Sequence, residues 1–441
     1  MTIRVEAPPA PLRSYRHLPG RAARSEPLLH NGHVLTLSSL LAAALGAGFW
    51  MVATSWYSTA TVGRSYAVLS AVTLLSGFGQ LNLADVLVRF VPAAGRHTRR
   101  VLLGCYAAST AFSAALAAGF LLLVPVVAPG LDSLRGPLAA GCFIAATVGY
   151  SLFVLQDGVL TGLRHTGWVL GENALFAAVK TALLVGCGIW AFSTGILLSW
   201  GGALVLAILV TNVFLFRRAV PRHQRAGVAT AVPPRLLGYA AADYLGALFR
   251  LTAYNVVPLL VLDRFGPVDS AYFSLSWVIA YSLFLTTYNM GSSMIVEAAR
   301  APERLEEHAR RVLRHSGVLL AAATVVVVVT APWLLGVFGA DYARHGALLL
   351  RLLTLAALPN LLLGVAIDVA RARRTLAWAV GLQAALCVMV LGFSAWLMPV
   401  LGIAGVGAAW LLAECLLALP LLLTLPRWLP RRPPAAERSS P

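Results

Sequence analysis

The chain has little charge and almost no lysine. Of its 441 residues 12% are charged and 59% are apolar, a balance too apolar for a soluble domain of this size. One lysine, Lys180, stands among 34 cationic side chains. The five cysteines (Cys105, Cys142, Cys187, Cys387, Cys415) are isolated, odd in number and without CxxC spacing, which argues against a redox or zinc site. The nine histidines form no HExxH pair, so no metal is expected, and no organic cofactor motif is present. A Walker A loop is also missing, which excludes ATP-driven pumping on this chain.

What is there is hydrophobic length. Twelve apolar stretches run through residues 33–54, 66–92, 99–128, 137–160, 168–193, 195–216, 236–262, 268–298, 313–338, 345–370, 375–398 and 402–426. Each has about the 20 residues that a helix needs to cross a bilayer. Their gaps alternate in charge. One set, with the tails, holds 26 arginines; the opposite set holds only Arg64, Arg135, Arg264 and Arg344. By the positive-inside rule both termini are expected in the cytoplasm. The net charge of +17 then sets topology and meets anionic membrane lipids, and no nucleic-acid partner is expected.

The longest basic gap, 217–235, contains Pro221, Pro233 and Pro234 and divides the spans six and six. The expected organisation is a tail over 1–32, a lobe over 33–216, a linker over 217–235, a second lobe over 236–426 and a tail over 427–441. The first tail lacks the apolar core of a cleavable signal peptide, and both tails have disordered composition. Arg164 to Asn173 resembles Arg374 to Gln383 at an offset of 210, with Trp168 matching Trp378 and Gly171 matching Gly381. Six spans per copy makes the repeats parallel, related by an axis along the membrane normal, with a cleft between them. The external loops are short; the largest runs from Ser55 to Ser65. They leave no room for an extracytoplasmic catalytic domain, so an enzyme is not expected. A monomer is.

An ionisable group at mid-membrane costs about 2.5–3.5 kcal/mol on insertion scales and needs a partner, a wet cavity or a task. Lys180 and Arg250 lie about 18–20 Å along their helices at 1.5 Å per residue, too deep for easy snorkelling, one in each half. Two such cations facing one cleft would receive a phosphate or diphosphate. Arg89 is a third candidate. Asp85, Asp157, Glu172, Asp243 and Glu414 are candidates for ion pairing or for coupling to H⁺ or Na⁺. Arg351 sits in the outer part of the tenth stretch. Pro258, Pro332, Pro359 and Pro420 interrupt spans, where freed carbonyls need new partners. Gly402, Gly405 and Gly407 read as close helix packing, not as a nucleotide loop.

Several segments carry a family resemblance. Gly63 through Tyr66 to Asp85 and Arg89, Gln156-Asp157 through Gly162 to Arg164, Glu172-Asn173 with Lys180, and Leu401 to Ala409 resemble the multidrug/oligosaccharidyl-lipid/polysaccharide (MOP) exporter superfamily. The likeness is to its bacterial polysaccharide-biosynthesis, O-antigen-flippase-like branch, and covers roughly 33–426. It implies an all-α polytopic protein of the bacterial cytoplasmic membrane, with twelve transmembrane helices in two lobes arranged as a V. It further implies translocation of a lipid-linked glycan, with Arg89 and Lys180 engaging the lipid diphosphate. Twelve spans instead of fourteen, and no charged cluster in the first, argue against the peptidoglycan precursor. The alternatives are an ion-coupled exporter of a drug or natural product, supported by the intramembrane carboxylates, and a membrane polymerase or ligase, disfavoured by the short loops.

Overall fold

A computed structural model of the chain describes residues 45–226, 235–300 and 302–429. The protein is an all-α polytopic membrane protein, and among the described residues nine helices are long and apolar enough to cross a bilayer. The helices are α1 (45–56), α2 (Thr59–Gly79), α3 (Leu83–Ala94), α4 (Thr98–Val127), α5 (Pro137–Gly162), α6 (Thr166–Ile189), α7 (Gly195–Phe214) and α8 (Val220–Ala226). They continue as α9 (Arg235–Arg300), α10 (Leu305–Gly336), α11 (Ala340–Ala372), α12 (Leu376–Leu401), α13 (Ala404–Leu423) and the short α14 (Leu425–Trp428).

One of the expected stretches is broken, for a local reason, and two others are joined in one helical run. The second is split between α2 and α3, because Leu81 and Asn82 adopt left-handed φ of 53° and 55°. Helix α2 also starts earlier than expected. Ser58 caps it by accepting from the Thr61 N–H at 3.3 Å, so the expected loop from Ser55 to Ser65 shrinks to Tyr57 and Ser58. The seventh and eighth stretches both lie on α9. They are divided at Gly266, whose φ of 80° and ψ of −177° interrupt the helical run. A side chain is strained in that conformation, and Pro267 next in line starts the second limb without needing an N–H donor.

Close helix contacts require small residues. A Cβ at Gly158 of α5 would overlap the backbone of Ala84 in α3. A Cβ at Gly63 would overlap the carbonyl of Pro267, beside which Ser270 Oγ donates to the Gly63 carbonyl at 3.3 Å. Helix α2 thus lies along α9, from Gly63 at one end to Phe78 at the other, whose carbonyl accepts from Tyr244 Oη at 2.5 Å. Gly405 and Gly407 behave as expected, against the Leu397 and Leu349 backbones. Gly402, with φ of 60°, instead makes the turn between α12 and α13.

The arginine-rich turns gather at one end of the bundle. His223 on α8 meets the Val91 carbonyl at 3.0 Å, and Gln224 Nε2 donates to the Arg96 carbonyl at 2.7 Å. The first part of the expected linker is therefore helix docked onto the preceding lobe segment, not free chain; residues 227–234 lie outside those described. The start of the expected second tail is also held. Arg373 donates to the Trp428 carbonyl at 2.8 Å and to Glu306 at 2.8 Å, Arg310 donates to the Leu429 carbonyl, and Trp428 Nε1 donates to the Leu421 carbonyl at 2.8 Å. The remainder of that tail and the first 44 residues lie outside the described part.

The sequence repeat has a backbone counterpart. Arg164 and Arg374 both have left-handed φ, 62° and 61°. The His165 N–H donates to the Leu160 carbonyl at 2.8 Å, and the Thr375 N–H to the Ala370 carbonyl at 2.9 Å. Two helix ends 210 residues apart are closed by the same six-to-one bond.

Candidate functional site

Helices α9, α11 and α12 enclose a cavity of about 80 Å³ in the second half of the chain. Arg250, Tyr254, Thr287 and Tyr288 of α9, Asn360, Asp368 and Arg371 of α11, and Gln383 of α12 line it. Phe284, Leu363, Ile367 and Leu386 line it as well, so these polar groups converge on a space with largely apolar walls. Arg250 holds its guanidinium 5.1 Å above the Tyr288 ring, a favourable position for a cation that has left water. Asp368 lies near enough to interact electrostatically with Arg250, and it also bridges Arg371 at 3.6 Å, both side chains being only 12% exposed. A Cβ at Gly291 would overlap the Asp368 carboxylate, so glycine there admits the charge between helices. The mixture of two cations, one carboxylate and two amides can hold an anionic, hydrogen-bonding group.

Behind this cavity sits a second polar element. Glu414 is fully buried and accepts from Asn360 Nδ2 at 2.7 Å through Oε1, with the Trp410 indole also beside the carboxylate. Asn360, one residue after Pro359, therefore touches both the cavity and the buried acid. Trp410 lies between aromatic rings of α9, 5.3 Å from Tyr254 and 4.7 Å from Trp277.

Lys180 has different surroundings. Its ammonium stands 5.0 Å from the Phe49 ring centroid and 5.2 Å from that of Phe176. Phe176 in turn packs on Phe153 at 5.4 Å and Trp200 at 5.8 Å. Among the described residues Lys180 makes no ion pair. The sequence expectation put Lys180 and Arg250 on one central cleft; the cavity that contains Arg250 is lined wholly by residues after 249, and Lys180 is not among them.

Toward the basic end of the first half, Glu172 is 2% exposed, with the Thr211 hydroxyl beside its carboxylate. Asp157 is close enough to repel it, and Asp157 Oδ1 is buried without a partner. Amides and a phenol surround them: Gln156 Nε2 donates to Asn212 Oδ1 at 2.9 Å, and Tyr106 Oη donates to the same atom at 3.1 Å. The structure brings these two acids together and keeps them apart from Glu414. Asp85 is exposed in the first turn of α3, where the helix dipole favours a negative charge. The side chains of Arg89 and Asp243 lie outside those described.

Sequence reasoning did not assign to a site Asn360, Gln383 and Thr287, which line the cavity, or Phe49 and Phe176, which hold Lys180. Attention to charge alone hid them. A buried amide is also costly in hydrocarbon, and Gln383 occupies the repeat position of Asn173, itself beside Asp157.

No protein-family model matches this chain, and no curated protein matches it. Solved structures do. An inward-facing multidrug-resistance MATE transporter of the MOP superfamily superposes with a TM-score of 0.69 at 15% identity, covering 94% of this chain and 99% of that one. An outward-facing MATE transporter of the same superfamily gives 0.62 at 14% identity over 91% and 95%. A MOP-superfamily transporter from Pyrococcus furiosus, described as having a binding pocket of reversed polarity that suggests a different function, gives 0.61 at 14% over 91% and 95%. The chain has the MATE/MOP fold.

Proposed function

We propose that this chain is a transporter that moves a polyprenyl-diphosphate-linked saccharide, or a related polysaccharide precursor, across the bacterial cytoplasmic membrane by alternating access. The observation that carries the reading is Lys180. A lysine deep in a span that rests on aromatic rings, with no carboxylate to neutralise it among the described residues, keeps its charge available for an incoming anion. Arg250 supports the same reading from the cavity in the other half. A diphosphate cannot enter hydrocarbon alone, and cations that replace its water lower that barrier. The lipid tail stays in the bilayer while the headgroup passes between the halves. Release on the far side requires weaker binding in the outward state.

A second reading, an ion-coupled exporter of a drug or natural product, is favoured by the buried acids Glu172 and Glu414 and the half-buried Asp157. Either reading can use H⁺ or Na⁺ at such a group, and Asp85 and Asp243 remain candidates for that coupling. The deciding experiment is a proteoliposome assay of polyprenyl-diphosphate-glycan translocation with Lys180→Ala and Arg250→Ala. Loss of translocation in both folded variants is the expected result. Wild-type rates in both would refute the cationic mechanism, and drug efflux without glycan movement would select the second reading.

A further inference from the structure

We infer that the groove between α6 and α7 at the basic end is a binding site for an anionic phospholipid, with an acyl chain along α7 and the phosphate against Arg217 and Arg218. The groove has a volume of about 440 Å³ and is lined by Trp168, Leu209, Val210, Val213, Phe214, Arg217 and Arg218. Its chemistry changes along its length. Leu209, Val210 and Val213 are exposed apolar residues on consecutive turns of α7, suited to hydrocarbon. Trp168 stacks on Phe214 at 3.8 Å with ring planes 13° apart. An indole at this level matches the aromatic belt at a membrane surface.

The two arginines then close the basic end. A π-type turn over Leu215–Ala219 buries Leu215 and Ala219, at 0% and 2% exposure, and leaves Arg217 and Arg218 between them exposed. Turns of this kind are frequent at functional positions in helices. Consecutive residues of an ordinary helix point about 100° apart, yet here both arginines line one groove. Among the described residues neither makes an ion pair. An apolar slot ending in two uncommitted guanidinium groups at headgroup depth is complementary to a lipid whose phosphate carries net negative charge. A zwitterionic lipid fits the slot but gains less from the arginines, and a soluble phosphate meets the arginines but leaves the slot empty. The site is separate from the Arg250 cavity and from Lys180, and stands whatever the transported substrate is.

The test is lipid retention by the detergent-purified protein in native mass spectrometry. Phosphatidylglycerol, phosphatidylcholine and glycerol 3-phosphate are the three probes. Phosphatidylglycerol is expected to remain bound where the other two do not. Arg217→Gln with Arg218→Gln should weaken it by about 30-fold, two cations each contributing the roughly fivefold typical of a basic residue at a charged surface. Equal retention of phosphatidylglycerol and phosphatidylcholine, or no effect of the double substitution, would overturn the site. So would displacement of the lipid by comparable glycerol 3-phosphate. Should the double variant not fold, wild-type protein photolabelled with phosphatidylglycerol bearing a diazirine in its acyl chain decides the matter. Labelling of the segment 209–214 supports the site, and labelling elsewhere alone refutes it.

Discussion

Arg351 Nε donates to the carbonyl of Val328 at 3.0 Å, joining α11 to α10. Val328 lies four residues before Pro332, so its carbonyl is the one that the proline deprives of a helical donor. A charged side chain inside a span is here explained by a defect in the neighbouring helix. Arg351 is a structural donor.

Arg351→Leu should therefore lower stability by about 1–3 kcal/mol, the cost of an unsatisfied buried acceptor. Pro332→Ala restores a helical N–H and should recover much of that loss in the double variant. Thermal unfolding of the four proteins in detergent measures the coupling, and additive losses would contradict it.

Lys180→Met should leave the fold intact while translocation stops. The ammonium touches rings and not a carboxylate, so its removal orphans no buried anion. Unfolding temperature and translocation rate, measured on the same preparation, separate the two effects. A large drop in unfolding temperature would show that Lys180 is a structural residue.

Asn360→Leu should destabilise the protein by about 1–3 kcal/mol, because Glu414 would lose a donor in a fully buried position. Glu414→Gln retains an acceptor oxygen for Asn360 and should unfold near the wild-type temperature. If gradient-driven transport nevertheless disappears in Glu414→Gln, the acid serves coupling; unchanged transport assigns it to packing.

Gly158→Leu should push α3 and α5 apart, since even a Cβ at that position overlaps the Ala84 backbone. Overpacking of this kind costs typically about 1–3 kcal/mol. Gly171→Leu, at a glycine with no neighbour within 4 Å of the added carbon, is the control and should be nearly silent. Equal unfolding temperatures for the two variants would refute the close approach.

Arg373→Ala should loosen the basic end. It removes one partner of Glu306, which is 7% exposed, and a donor to the Trp428 carbonyl, so two contacts that hold this end are lost together. Faster proteolysis at residues 425–429 is expected, and wild-type protection there would count against the clamp.

The sequence by itself determined the membrane class and most span positions among the described residues, because hydrophobic length acts locally, but not the break at Leu81 and Asn82. It also marked the repeat, since matching residues at an offset of 210 close matching turns. Partners were another matter. Arg351 and Lys180 look alike in sequence, each a lone cation within an apolar run, yet one meets a freed carbonyl and the other two phenyl rings. Only tertiary structure could separate them, because a side chain in hydrocarbon is defined by what the adjacent helix presents at its depth. The same holds for Glu172 beside Asp157 and for Glu414 beside Asn360. Helix register and crossing place those pairs, and both depend on contacts between residues more than a dozen positions apart.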